Sequence, residues 1–157
     1  MACWFWNIDR DELKYFKTEL QHHNKLRQGW GWWEGANLNL LQEKRNNDLK
    51  LTDDEENVWK HCGPMLDRIE IGDFIVVRNV PEQGYFTLVE VVGEYHFDYG
   101  DNKNDYGHYL PIKVLGEFSI DKLPAKFIAG YNAARHAIGI TYEHSEAIED
   151  LAKKLIS

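Results

Sequence analysis

The spacing of apolar residues along the chain changes period several times, and each change predicts an element. CWFWNID, residues 3–9, is apolar and aromatic with scarcely a break, the composition of a buried strand with Trp4 and Trp6 on one face and Phe5 on the other. It runs into DRDE, where Asp9 as N-cap and Glu12 three residues on form a capping box, with Ile8 and Leu13 placed for a hydrophobic staple. Leu13, Phe16 and Leu20 then recur at helical spacing, and the helix fades near His22 and His23. RQGWGWWEG, from Arg27 to Gly35, is broken by three glycines and predicts irregular chain. NLNLLQEKRNNDLKL is ambiguous between a short helix and a loop. Thr52 and Glu55 make a second capping box, opening a short helix that ends at Gly63-Pro64.

The middle of the chain changes to β character. GDFIVVRNV is a strand bounded by Gly72-Asp73, and PEQG is a turn cluster. YFTLVEVVGEYHF returns with alternating residues and a bulge predicted at Gly93. DYGDNKNDYG, residues 98–107, is a polar loop, and HYLPIKVLGEF is a further strand in which Pro111 marks an edge or a bulge. Two helices close the sequence, one from near Pro124 to before Gly139 and one from Ser145 through Leu155. Strands in series with helices at both ends predict an α+β fold, a small twisted barrel with flanking helices, rather than alternating βαβ units. No linker or repeat divides the 157 residues, so one domain is expected, with a barrel core over about 3–118 and a C-terminal helical extension over about 119–157.

Composition narrows the function classes. Apolar residues at 43% exclude general disorder, and no apolar run is long enough to cross a bilayer. The N-terminus lacks a signal-peptide pattern, and Cys3 and Cys62 form neither a disulfide framework nor a CxxC knuckle, so a cytoplasmic protein with reduced thiols is expected. The net charge of −8 is concentrated in residues 51–110, which hold four Lys/Arg against thirteen Asp/Glu. That acidity weighs against a non-specific polyanion binder but leaves room for a local basic patch.

Catalytic signatures are missing. There is no GxSxG elbow, GxGxxG or Walker pattern, and His61 and Cys62, adjacent on a helix, point apart and make a poor dyad. No enzymatic activity and no cofactor are therefore expected. His96, Asp98, Asp105 and His108 flank one loop between strands and are candidates for a divalent cation site, against the plainer reading of a solvated acidic loop. The aromatics are the more distinctive signal: six tryptophans, three of them (Trp30, Trp32 and Trp33) within four positions. They fit either a hydrophobic flap over a barrel end or a cage for a flat or cationic group, with Arg27 placed to meet a phosphate.

CWFWNID, the short helix and LRQGWGWW together resemble the opening of the EVE and YTH domains of the PUA-like superfamily. MLDRIEIGDFIVVRNVPEQGYFTLVEVVGEY resembles the EVE pattern of Gly-Asp, strand and returning strand, carried here by Ile71-Gly72-Asp73 and Val92-Gly93. The resemblance covers roughly residues 3–115. It implies an EVE-type, PUA-like barrel whose pocket accepts a flipped, often modified, base in DNA or RNA between aromatic walls. Trp30 or Trp32 then takes the cage position with Trp33 and Trp6 nearby and Trp59 as the candidate second wall, Asn7 and Asp9 face the base edge, and Arg27, Lys25 and Lys44 meet phosphates. It further implies a specificity module of a modification-dependent restriction or defence system. A different class is a protein-interaction scaffold, pairing with a partner or a second copy through the tryptophan flap or the C-terminal stripe of Ile148, Leu151 and Leu155.

Overall fold

The computed structural model describes residues 2–98, 105–134, 137–140 and 145–156, so the polar loop expected over 98–107 lies for the most part outside the described residues. Strands β1 (Cys3–Trp6), β2 (Lys25–Gln28), β3 (Phe74–Arg78), β4 (Tyr85–Val91), β5 (His96–Phe97), β6 (His108–Ser119) and β7 (Ile138–Ile140) form one curled sheet. Its order is β2-β6-β4-β3-β1-β7, with β5 also on β6; β1 and β3 are parallel and the other pairings antiparallel. Helices α1 (Leu13–His23), α2 (Leu38–Asn46), α3 (Asp53–Cys62), α4 (Pro64–Asp67), α5 (Ala125–Ala133) and α6 (Ser145–Ile156) flank it. The architecture is mixed α+β. No helix among the described residues is long and apolar enough to cross a membrane.

Alternation along the strands sorts side chains into two cores. Trp4, Trp6, Ile75, Val77, Val89, Val91, Leu110 and Ile112 face one, where residues of α2, α3 and α4 cover them. Cys3, Phe5, Phe74, Val76, Phe86 and Leu88 face the other, where Phe127 and Tyr131 of α5 and Ile148 and Ala152 of α6 close the layer. β1 is buried on both faces, which explains its unbroken apolar run. Ile148 is 1% exposed, so it and Leu151, two members of the C-terminal stripe read as a partner surface, pack against this chain's own sheet.

The returning strand divides near Gly93 as expected, into β4 and β5. Its register on β6 slips by two residues between Val91↔Ile112 and His96↔Tyr109. A β-carbon on Gly93 would stand 2.7 Å from Pro111 Cγ, so glycine lets the chain cross there. A second bulge, not expected, falls between Leu88 and Val89; Leu115 is the extra residue opposite them, and after it β6 exchanges faces.

Asp73 of the Gly-Asp pair is 3% exposed and joins the starts of β1 and β3. Its carboxylate accepts from Ala2 N at 2.9 Å, Trp4 Nε1 at 3.1 Å and Glu70 N at 2.9 Å. Gly72 turns the chain at φ +97°, where a β-carbon would be strained. The Thr52–Glu55 capping box forms in both halves, at 3.2 and 2.9 Å. The one expected at Asp9 does not: Asp9 Oδ1 accepts from Asp11 N at 3.0 Å and opens a 3-10 turn over Arg10–Glu12 that leads into α1. Two short strands, β2 and β7, had no apolar period to signal them. β7 stands where the sequence predicts the end of a helix, and α5 stops earlier, at Ala133.

Candidate functional site

Where β2 ends, the tryptophan loop runs beside residues 105–107 at the start of β6. Gly31 forms a parallel bridge with Tyr106, and Gly31 N donates to Asp105 O at 2.7 Å. A β-carbon on Gly31 would lie 2.8 Å from Gly107 N, and one on Gly107 would lie 2.9 Å from Gly31 O. The glycines that break the pattern in sequence thus permit two backbones to touch.

Between Gly29 and Gly31 the left-handed conformation falls on Trp30, at φ +69°. A bulky residue there is strained, by on the order of 1 kcal/mol or more, unless its surroundings hold it. They do. The Gly31 N–H is held by the Asp105 carbonyl, and the Trp30 carbonyl accepts from His108 Nε2 at 3.2 Å. Cys62 Sγ donates to the neighbouring Gly29 carbonyl at 3.3 Å.

The histidine belongs to a buried chain. A carbonyl only accepts, so Nε2 carries the ring proton, and Nδ1 receives the Tyr95 hydroxyl at 2.6 Å. The Tyr95 oxygen accepts in turn from Leu38 N at 3.2 Å, joining the start of α2 to the tryptophan loop. His108 is fully buried, and that burial pushes its pKa down to about 4, which keeps it neutral.

The rings are arranged as a step, not as parallel walls. Trp30 lies flat on His61 at the end of α3, with centroids 4.5 Å apart and planes 10° from parallel. Trp32 is tilted by 46° from Trp30 at 6.3 Å and by 49° from Trp33 at 4.3 Å. Trp32 is 40% exposed, whereas Trp30 and Trp33 are half-buried. Burial raises the Asp105 carboxyl above the ordinary range, the nearby Trp30 main chain opposes the rise, and Asp9 adds to it. The Tyr106 hydroxyl donates to Asp9 Oδ2 at 3.3 Å, which sets the Asp9 carboxylate beside Tyr106.

Several expected site residues are placed elsewhere. Trp6 is fully buried and donates from Nε1 to Arg27 O at 3.3 Å, which makes it core. Arg27 is 2% exposed and not open to a phosphate: Nε meets Glu19 at 2.5 Å, Nη1 and Nη2 clasp Asp98 at 2.7 and 3.1 Å, and Nη1 also donates to Tyr106 O at 2.9 Å. Those charge-assisted bonds raise its pKa against the opposing effect of burial. Lys25 pairs with Asp98 at 3.6 Å over the Tyr109 ring, and Lys44 pairs with Glu55 at 2.6 Å, tying α2 to α3. Asn7 accepts from Arg78 Nη1 through Oδ1 and donates to the Ala134 carbonyl through Nδ2, so its amide faces the C-terminal segment rather than the tryptophans. Trp59 is covered by the Arg45 guanidinium at 4.7 Å; the ring on Trp30 is that of His61, for which the sequence holds no local signal.

The four candidate metal ligands do not converge. His96 pairs with Tyr109 while Phe97 pairs with His108, so the two histidines project from opposite faces of the sheet. His96 stacks on Tyr109, Asp98 holds Arg27, Asp105 bonds Gly31 through its carbonyl, and His108 holds the Trp30 carbonyl. No metal-binding cluster of His, Cys, Asp or Glu occurs among the described residues.

Fold and site together define an α+β protein carrying a braced aromatic cluster beside its curled sheet. No family model and no curated protein matches the chain. Among solved structures, the crystal structure of protein Atu2648 from Agrobacterium tumefaciens is similar over 97% of this chain and 93% of its own, with 12% identity and a TM-score of 0.44.

Proposed function

We propose that this chain is a non-enzymatic reader that stacks a modified nucleobase of DNA or RNA on Trp32 and Trp30. The observation that carries the reading is Trp30 at φ +69°, in a position that glycine fills without strain, with Cys62, His108 and the Asp105 carbonyl bonded to the main chain of residues 29–31 around it. A strained and over-determined aromatic beside an exposed one is what a preorganised stacking surface requires. The Asp105 and Asp9 carboxylates supply acceptors for the amino or ring N–H groups of a base edge. With Arg27 committed internally, backbone contacts fall to Lys25 and Lys44, each of which keeps donors beyond its ion pair. Affinity then rests on stacking, and its salt dependence is shallow, corresponding to about one or two phosphates. The EVE resemblance extends the proposal to a specificity module of modification-dependent defence.

The test is a tryptophan-fluorescence titration with oligonucleotides carrying unmodified, methylated and hydroxymethylated bases, at low and physiological salt. One modified base should quench the fluorescence, and Trp32→Ala should weaken its binding by roughly ten- to a hundredfold, the value of one stacked base. The exposed position of Trp32 leaves the thermal transition of that variant nearly unchanged. Binding that is absent for every oligonucleotide, or equal in the variant, overturns the reading.

A further inference from the structure

Away from the tryptophans, a cleft of about 480 Å³ opens between α4, the turn at residues 69–72 and the segment after β4. Its floor is apolar, made of Met65, Leu66, Ile69, Tyr95 and Leu110, and its rim carries the carboxylates of Glu70 and Glu94. No lining residue is basic, and neither carboxylate has an ion-pair partner among the described residues. The cleft is built rather than incidental. Asp73 fixes the Glu70 backbone, Gly93 passes against Pro111, and the Tyr95 hydroxyl is tied to His108.

We propose that this cleft docks a polypeptide partner through a lysine or arginine flanked by apolar residues. The floor suits the aliphatic stem of such a side chain and the two carboxylates suit its charged head. Exposed apolar residues stand on the rim and on the segments that line the cleft, which points to a polypeptide rather than a small amine. Ile71 on the rim is 61% exposed, and Leu40 and Val92, next in sequence to the lining residues Asn39 and Gly93, are 43% and 48% exposed. The net acidity of residues 51–110 favours a basic partner over a second copy of this acidic chain.

The experiment is a titration of the methyl-labelled full chain, followed by NMR, with acetyl-Leu-Lys-Leu-amide, its norleucine analogue and n-hexylamine. The lysine peptide should shift the methyl signals of Met65, Leu66, Ile69 and Leu110 saturably. The double variant E70Q/E94Q should weaken it by about tenfold, with an unchanged thermal transition because both side chains are exposed. Trp32→Ala should leave it unaffected, which separates this site from the reader surface. Equal binding of the norleucine peptide, equal binding of hexylamine, or silence of the cleft methyls each overturns the proposal. So does a dimer, seen by sedimentation, that E70Q/E94Q dissociates, since the occupant is then a second copy.

Discussion

At the contact of Gly31 with the Gly107 backbone there is no room for a methyl group, and both sides of that contact are main chain. Gly31→Ala should therefore destabilise the fold by about 1–3 kcal/mol, the usual cost of overpacking. Gly139→Ala, where a β-carbon meets nothing within 4 Å, serves as the control and should stay within about 0.5 kcal/mol. Denaturant midpoints of the two variants decide the matter. His108 sets a pH dependence at the same scale. Its pKa falls from 6.5 to about 4 on folding, so between those values the unfolded chain holds a proton that the folded chain refuses. Stability is full above pH 6.5 and declines as the pH drops toward 4, by about 3 kcal/mol for a shift of that size. Denaturation measured across this range should show the decline, and His108→Gln should flatten it.

Between elements, single polar residues act as ties. Asp73 satisfies three donors at once and holds β1 to β3 and to the preceding turn. Asp73→Ala leaves the buried Trp4 indole N–H and two main-chain N–H groups unpaired, which should cost about 3 kcal/mol or more. Equilibrium unfolding reads the loss, and a variant of near wild-type stability would show that water replaces the carboxylate. Arg27 acts in the same way across α1, β2 and the end of β5. An arginine at the mouth of an aromatic loop looks in sequence like a phosphate ligand. Glu19 and Asp98, the residues that claim it, lie 8 and 71 positions away.

For the molecule as a whole, the C-terminal segment completes the fold. β7 extends the sheet beyond β1, and α5 and α6 cover the face that β1, β3 and β4 would otherwise expose. Ile148→Ala should cost about 2–4 kcal/mol, as a deleted buried aliphatic does, and leave the sedimenting mass unchanged. A change of mass with little loss of stability would return the helix to the role of a partner surface. Sequence pattern left the partner surface open as an alternative because a helix that packs on its own sheet and one that packs on another chain carry the same apolar stripe.

Local signals are legible wherever the physics is local. The chain by itself determines the buried first strand, the capped helix at Thr52, the Gly-Asp turn, the central strands and the break at Gly93, because capping, period and left-handed turns depend on residues within a few positions of one another. Strands β2 and β7, the burial of Arg27 and Trp6, the placing of His61 under Trp30 and the opposite faces taken by His96 and His108 were decided only by the tertiary structure. Each depends on strand register or on a partner far along the chain, and pairing across such distances leaves no period in the sequence.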